Sequence, residues 1–265
     1  MKMDGVLLAT LIVGIVGLLI GLFLCFFSEK FAVPVDEKEL AVRAELPGNN
    51  CGGCGFAGCD GLAAAIAKGE AEVSACPVGG DAVANAIAAI MGVEASEGGR
   101  MVAYVKCAGT CEVANTSYDY SGPADCLMAS MAPGGGGKAC SYGCLGFGNC
   151  VKACPFDAIH VVDGVAMVNR EACKACGKCV EACPKNLIEL IPETAKEMVK
   201  CSSRDKGKDV MQACKVGCIG CGLCAKACPV EAVTVTNNLA HIDAEKCTGC
   251  GACAEKCPKK IIHKA

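Results

Sequence analysis

The sequence predicts an α+β protein in which one transmembrane helix is followed by several small cysteine-rich domains. Three observations predict this organisation. An uncharged, apolar run extends from Gly5 to Phe27. The chain has 26 cysteines among 265 residues, and most of them fall in short, regular runs. Apolar stretches with strand-like composition follow the Cys-Pro pairs that end these runs, for example at residues 158–162.

The cysteine density restricts the class of protein. A chain this rich in cysteine is a disulfide scaffold, a metal-rich protein or a redox protein. Disulfide scaffolds are usually short secreted domains, whereas this chain is long enough for two or three domains and carries no recognisable cleavable signal peptide. The formal net charge is −3 and no basic stripe is present, so we predict no nucleic-acid partner.

The apolar run predicts a transmembrane helix over residues 1–28. A helix over Gly5 to Phe27 spans about 35 Å at about 1.5 Å per residue, which is enough for a hydrocarbon core of about 30 Å. Neither a signal peptide nor a lipoprotein anchor is favoured, because no small-residue cleavage site follows and Leu24 precedes Cys25. We expect the cysteine-rich domains on the cytoplasmic side of a cell membrane, where thiols stay reduced.

Cysteine runs of one pattern recur in the second half of the chain. Three follow C-x2-C-x2-C-x3-C-P and end at Cys183, Cys228 and Cys257, and a stretched fourth run ends at Cys154. This pattern is the signature of bacterial ferredoxins, in which the last cysteine of each run ligates the cluster of the other run. Because Cys154 to Cys183 and Cys228 to Cys257 are both 29 residues apart, we pair the runs into two 2[4Fe–4S] ferredoxin domains.

This pairing predicts the ligands of four [4Fe–4S] clusters. The expected sets are Cys140, Cys144, Cys150 and Cys183; Cys173, Cys176, Cys179 and Cys154; Cys218, Cys221, Cys224 and Cys257; and Cys247, Cys250, Cys253 and Cys228. Zinc is the competing metal. Structural zinc sites usually combine two separated C-x2-C knuckles, and triple runs closed by Cys-Pro do not fit that pattern.

A separate cysteine group precedes the ferredoxin runs. Cys51, Cys54, Cys59 and Cys76 are spaced C-x2-C-x4-C-x16-C in a glycine-rich segment without histidine. This composition favours a fifth [4Fe–4S] cluster over zinc. Five further cysteines are candidates for a sixth cluster, and the alternative is that they are buried small hydrophobic residues. They are Cys107, Cys111, Cys126, Cys201 and Cys214.

The predicted domain boundaries follow from these motifs. They are a transmembrane helix at 1–28, a polar stalk at 29–47, a four-cysteine domain at 48–106, a cysteine-containing linker at 107–138, a first ferredoxin domain at 139–191, a linker at 192–214 and a second ferredoxin domain at 215–265. No glycine-rich nucleotide-binding motif follows a predicted strand. We therefore predict no nicotinamide or flavin site and no catalytic residue in this chain.

The sequence resembles the iron–sulfur B subunit of the Rnf complex, a membrane-bound, ion-translocating ferredoxin:NAD oxidoreductase. The resemblance rests on the apolar N-terminal helix, on LPGNNCGGCGFAGC at residues 46–59, and on CSYGCLGFGNCVKACPFDAI at residues 140–159. It implies an electron-transfer subunit that takes electrons from reduced ferredoxin and passes them to flavin- and cluster-bearing partner subunits. A membrane-tethered polyferredoxin that feeds another reductase without ion pumping is the alternative.

Overall fold

A computed structural model describes residues 3–30, 36–95 and 99–265. Helix α1 (Met3–Lys30) contains an apolar segment, Thr10–Ser28, with a mean hydropathy of 2.8. It is the one helix among the described residues that is long and apolar enough to cross a membrane. The side chains of this segment are exposed, which is consistent with membrane association.

A small helical domain follows, built from α2 (Glu37–Glu45), α3 (Cys59–Ala67) and α4 (Gly80–Met91). Asp36 caps α2 by accepting a hydrogen bond from the backbone N–H of Lys38 at 3.0 Å. The core of this domain contains Val42 and Leu46 from the α2 segment together with Leu62, Ile66 and Ile87 from α3 and α4. Helix α2 therefore belongs to this domain, whereas the sequence predicted a stalk over 29–47. Residues 31–35 of that stalk lie outside the described residues.

Two four-stranded modules of the same topology make up the rest of the chain. The first contains β1 (Met101–Val105), α5 (Cys126–Ser130), a 3-10 turn (Pro133–Gly135), α6 (Asn149–Ala153), β2 (Ile159–Val162), β3 (Val165–Val168), α7 (Lys178–Glu181) and β4 (Ile188–Pro192). The second contains β5 (Glu197–Val199), α8 (Gly207–Ala213), α9 (Leu223–Ala227), β6 (Val233–Thr236), β7 (Leu239–Ile242), α10 (Ala252–Glu255) and β8 (Ile262–Lys264).

Strand pairing is equivalent in the two modules. In each, the middle strands form a hairpin, β2 with β3 and β6 with β7, and the first strand pairs antiparallel with the last. The register places Val105 opposite Ile188 in the first module and Val199 opposite Ile262 in the second. Two clusters of buried residues surround these strands, and the first of them extends to Met198 of β5.

These pairings move both module boundaries toward the N-terminus. The predicted boundaries placed the residues of β1 in the four-cysteine domain and those of β5 in the linker at 192–214. In the structure, each of these strands is the first strand of a module and pairs with the last strand of that module. The predicted linker at 107–138 is likewise an insertion of the first module. It lies against the second module, because Ala114 forms an isolated bridge with Cys214.

Candidate iron–sulfur sites

Each ferredoxin run wraps into a loop that leads into a short helix. The residue directly before that helix is a glycine in the left-handed region, with φ near +75° at Gly148, Gly177, Gly222 and Gly251. Glycine adopts this backbone at no steric cost, unlike residues with a Cβ atom. The third cysteine of each run then lies inside the helix and is buried. These residues are Cys150, Cys179, Cys224 and Cys253.

One quartet expected from the sequence lines a single cavity in the second module. Cys218, Cys221, Cys224 and Cys257 surround a space of about 360 Å³. Burial raises the pKa of the Cys224 thiol, and the neighbouring Cys218, Cys257 and Cys221 raise it further. The last cysteine of the second run therefore lies beside the first run, as ligand exchange between runs requires.

The other expected quartet of this module is Cys247, Cys250, Cys253 and Cys228. The three cysteine-lined cavities among the described residues do not group its members. Burial raises the pKa of the Cys253 thiol to about 11, and the charges of Glu197 and Cys247 add to this effect. Cys228 caps α9 with φ −81° and ψ 114°, and Cys154 caps α6 with φ −82° and ψ 113°. The two residues are thus presented by the same backbone geometry at equivalent positions of the two modules.

In the first module, Cys154 lies with the run that follows it. Burial raises the pKa of the Cys179 thiol to about 11, and Cys173, Cys176 and Cys154 contribute next. The structure therefore brings together all four cysteines of this expected set. The exchange of the last cysteine between the runs of this module stays a prediction from the spacing, and the nearness of Cys154 to Cys179 is consistent with it.

The stretched run is completed by a cysteine outside its motif. A cavity of about 400 Å³ is lined by Cys126, Cys144, Cys150 and Cys183, and Cys140 is not among its lining residues. Burial raises the pKa of the Cys150 thiol to about 12, followed by the charges of Cys144, Cys126 and Cys183. The grouping expected from the sequence therefore differs from the structure in one member, because Cys126 takes the place of Cys140.

A polar contact between α5 and α6 holds Cys126 at this cavity. The backbone N–H of Cys126 donates to Asn149 Oδ1 at 2.9 Å, and Asn149 Nδ2 donates to Asp125 Oδ2 at 2.8 Å. Asp125 also caps α5 by accepting from the backbone N–H of Met128 at 3.0 Å. The position of Cys126 thus depends on contacts between distant segments, and no local cysteine spacing announces it.

Three members of the four-cysteine group, Cys54, Cys59 and Cys76, lie close together in the helical domain. Cys59 is buried at the start of α3, and its backbone N–H donates to Asn50 Oδ1 at 2.8 Å. Burial raises the pKa of the Cys76 thiol above its usual range, although backbone hydrogen bonds oppose the shift, and the charges of Cys54 and Cys59 raise it further. Cys51 belongs to the same loop and approaches the neighbouring module, because its charge also raises the pKa of Cys176.

The spacing of the thiols fits a cubane better than a single ion. In the part of the chain that the structure describes, no three His, Cys, Asp or Glu side chains lie close enough together to hold one metal ion. A zinc site draws its thiolates to about 2.3 Å from one ion, whereas a [4Fe–4S] cluster spreads them over four irons. Four cysteines that line one cavity without converging on a single point therefore suit the cluster.

Replacing Cys126 by alanine is expected to remove about four iron atoms per chain, the content of one [4Fe–4S] cluster. The reason is that Cys126 completes the cavity shared with Cys144, Cys150 and Cys183. Iron and acid-labile sulfide per chain, measured on protein purified without oxygen, check this result. Cys111→Ala is the matched control, because Cys111 is exposed and lines none of the three cysteine cavities. Full iron in the Cys126 variant would contradict the grouping.

Family models match the cysteine-rich part of the chain. The model described as "Putative Fe-S cluster" matches residues 46–78. Two models described as "4Fe-4S dicluster domain" match residues 138–184 in one case and residues 172–232 and 217–261 in the other. These matches confirm the predicted α+β architecture of a four-cysteine domain followed by two ferredoxin domains.

Several relatives are similar to most of the chain. It is 49% identical to the B subunit of the Na(+)-translocating ferredoxin:NAD(+) oxidoreductase complex of Acetobacterium woodii, over 92% of this chain and 73% of the relative. It is 44% identical to the B subunit of the ion-translocating oxidoreductase complex of Methanosarcina acetivorans, over 87% of each chain. It is also 44% identical to the B subunit of the proton-translocating ferredoxin:NAD(+) oxidoreductase complex of Clostridium ljungdahlii, over 91% of this chain and 85% of the relative.

Proposed function

Because the chain belongs to the family of B subunits of the ion-translocating Rnf oxidoreductase complexes, we propose that it carries electrons from reduced ferredoxin to the flavin- and cluster-bearing subunits of such a complex. When bound, the [4Fe–4S] clusters supply reversible one-electron redox chemistry. The protein supplies the thiolates, the spacing between sites and the shielding from water. It is an electron-transfer subunit of a redox complex and contributes no catalytic residue of its own.

The observation that carries this proposal is the contact between successive cysteine groups. The loop of Cys51 and Cys54 packs directly on the loop of Cys176, since a Cβ atom added at Gly53 would lie 2.7 Å from the backbone oxygen of Cys176. Glycine is required there for the two loops to approach. Such an approach brings the site of the helical domain beside the first ferredoxin module, as stepwise electron transfer needs.

Within the first ferredoxin module, the exchange of the last cysteine links two sites. Cys154 follows one run and lies with the next, and Cys183 makes the reverse exchange. The helical domain and the two modules thus offer a series of sites along one polypeptide. This arrangement supports a relay, because electrons can enter at one end of the chain and leave at the other.

Ion translocation is assigned to the partner subunits in this proposal. The apolar segment of α1 carries no Asp, Glu, Lys, Arg or His, and ion pathways in membranes are built from such residues. The relatives' names specify Na⁺ in one case and protons in another. We place the cysteine domains on the cytoplasmic side of the cell membrane, where reduced ferredoxin and NAD are available.

Purification of the native complex through a tag on this chain tests the proposed function. Under exclusion of oxygen, we expect other membrane subunits with bound flavin to co-purify and reduced ferredoxin to drive NAD⁺ reduction. After reconstitution into vesicles, the same reaction should move a cation across the membrane. A membrane-tethered polyferredoxin would instead purify without these subunits and without ion uptake, and that result would overturn the proposal.

A further inference from the structure

A further cysteine-lined cavity lies outside all five groups described above. Its volume is about 480 Å³, compared with about 400 and 360 Å³ for the two cavities lined by ferredoxin quartets. Four cysteines line it, namely Cys107, Cys140, Cys201 and Cys214. Cys107 and Cys214 are buried, and Cys140 and Cys201 are partly buried. This is the cavity to which the structure moves Cys140 from its expected quartet.

The two ferredoxin modules contribute equivalent pairs of cysteines to this cavity. Cys107 follows β1 in the sequence Val-Lys-Cys, and Cys201 follows β5 in the same sequence. Cys140 stands four residues before Cys144, and Cys214 stands four residues before Cys218. The same pair of cysteines therefore recurs in both modules, and all four cysteines line one cavity. The packing of individual residues does not explain this repetition.

Hydrogen bonds to the sulfur atoms repeat the same symmetry. The backbone N–H of Cys144 donates to Cys107 Sγ at 3.4 Å, and the backbone N–H of Cys218 donates to Cys201 Sγ at 3.3 Å. The backbone N–H of Gly109 donates to Cys107 Sγ as well, at 3.4 Å. Backbone N–H groups directed at sulfur stabilise the negative charge of a thiolate, as at other iron–sulfur sites.

A glycine in the wall of the cavity, Gly109, leaves space between the sulfur atoms of Cys107 and Cys214. A Cβ atom added at Gly109 would lie 3.6 Å from Cys107 Sγ and 3.7 Å from Cys214 Sγ, so a side chain there would occupy the space between them. Lys138 Nζ donates to the carbonyl oxygen of Gly109 at 2.7 Å and places a positive charge at the rim. Such a charge offsets part of the negative charge of a tetrathiolate cluster.

We propose that Cys107, Cys140, Cys201 and Cys214 hold a sixth [4Fe–4S] cluster that connects the two ferredoxin modules. A cluster in this cavity would lie between the sites of the two modules, and a continuous relay requires such a connection. Cys144 ligates the site on one side of the cavity and Cys218 the site on the other, and the backbone of each bonds to a cysteine of the cavity. One electron enters from one neighbouring site and leaves to the other, with no bond made or broken. This relay role rests on the proposed function, whereas the metal site does not.

Iron analysis of a double variant tests the site. The native protein is expected to contain about 24 iron atoms per chain, four for each of six clusters. Cys107→Ala with Cys201→Ala removes one ligand from each module and should lower this number by about four. Ferredoxin-dependent NAD⁺ reduction should fall to the background of the assay. Cys111→Ala is the matched control and should keep both iron and activity.

A second variant leaves every cysteine in place. Gly109→Leu fills the cavity and should remove the same four irons, about one cluster, while the five other clusters show that the protein is folded. A native content of about 20 irons, unchanged in both variants, would overturn the sixth cluster. Full loss of four irons with unchanged activity would overturn the relay role alone. Disulfides between these four cysteines in the anaerobic native protein would also exclude the site.

Discussion

Replacing Cys176 by serine is expected to stop electron flow through the whole chain. Cys176 lies near Cys154, Cys173 and Cys179, with which we propose that it holds one cluster, and its loop also contacts the loop of Cys51. It therefore lies where the helical domain meets the first ferredoxin module. In a series of sites, the loss of one intermediate site blocks transfer between those on either side.

Three measurements check the Cys176 variant. Iron per chain should fall by about four, the reduced protein should lose one EPR signal, and ferredoxin-dependent NAD⁺ reduction should fall to background. Cys111→Ser makes the same chemical change at an exposed cysteine and should keep all three properties. A Cys176→Ser protein with full iron and full activity would show that this residue is not a ligand and that its site is not on the route.

Replacing Gly53 by valine is expected to slow electron transfer while every cluster stays in place. The added Cβ atom would lie 2.7 Å from the backbone oxygen and 2.9 Å from the Cα atom of Cys176. Backbone atoms cannot move aside as the end of a flexible side chain can, so the two loops must separate. Because electron transfer weakens steeply with distance, a shift between the first two sites should lower the rate of NAD⁺ reduction.

The control for this variant is Gly61→Ala in the same domain. Gly61 lies inside α3, and its added Cβ atom would make only an ordinary contact with Phe56 at 3.9 Å. Alanine in a helix interior is favoured over glycine by about 1 kcal/mol, so this variant should be as stable as the native protein or more so, with unchanged rates. An unchanged rate with Gly53→Val, at full iron content, would show that electrons do not cross between these loops.

The regular cysteine runs could be predicted from sequence because their chemistry is local. Three thiolates of one cluster lie within seven residues of chain, as in Cys218, Cys221 and Cys224, and the spacing itself encodes the loop. Cys126 has no such signal. Its place in a quartet depends on a hydrogen bond between α5 and Asn149 of α6, and this contact exists only after the insertion has packed on the module.

The module boundaries were wrong for a similar reason. Strand β1 pairs with β4, and the intervening sequence contains a long insertion and two cysteine runs. A sequence pattern can identify a strand but not a partner so far along the chain. The repeated Val-Lys-Cys at residues 105–107 and 199–201 was available as a signal, since it marks the end of the first strand in both modules.

The composition of helix α2 did not predict that it packs in the helical domain. Its charged residues, such as Glu37 and Glu39, resemble those of a solvated stalk. Val42 is the one buried residue within α2, and it packs in the same core as residues of α3 and α4. The packing of so short a helix depends on its neighbours, and these are not visible in the helix's own sequence.

The cavity between the modules has a consequence for how the protein matures. Each module supplies two of the four cysteines around it, so this ligand set is incomplete until both modules have folded. During synthesis the N-terminal module folds first, and its Cys107 and Cys140 must wait as free thiols for Cys201 and Cys214. On the proposed ligand set, this cubane is inserted only after Cys201 and Cys214 have joined Cys107 and Cys140. It then cross-links the two modules covalently and fixes the orientation of one against the other.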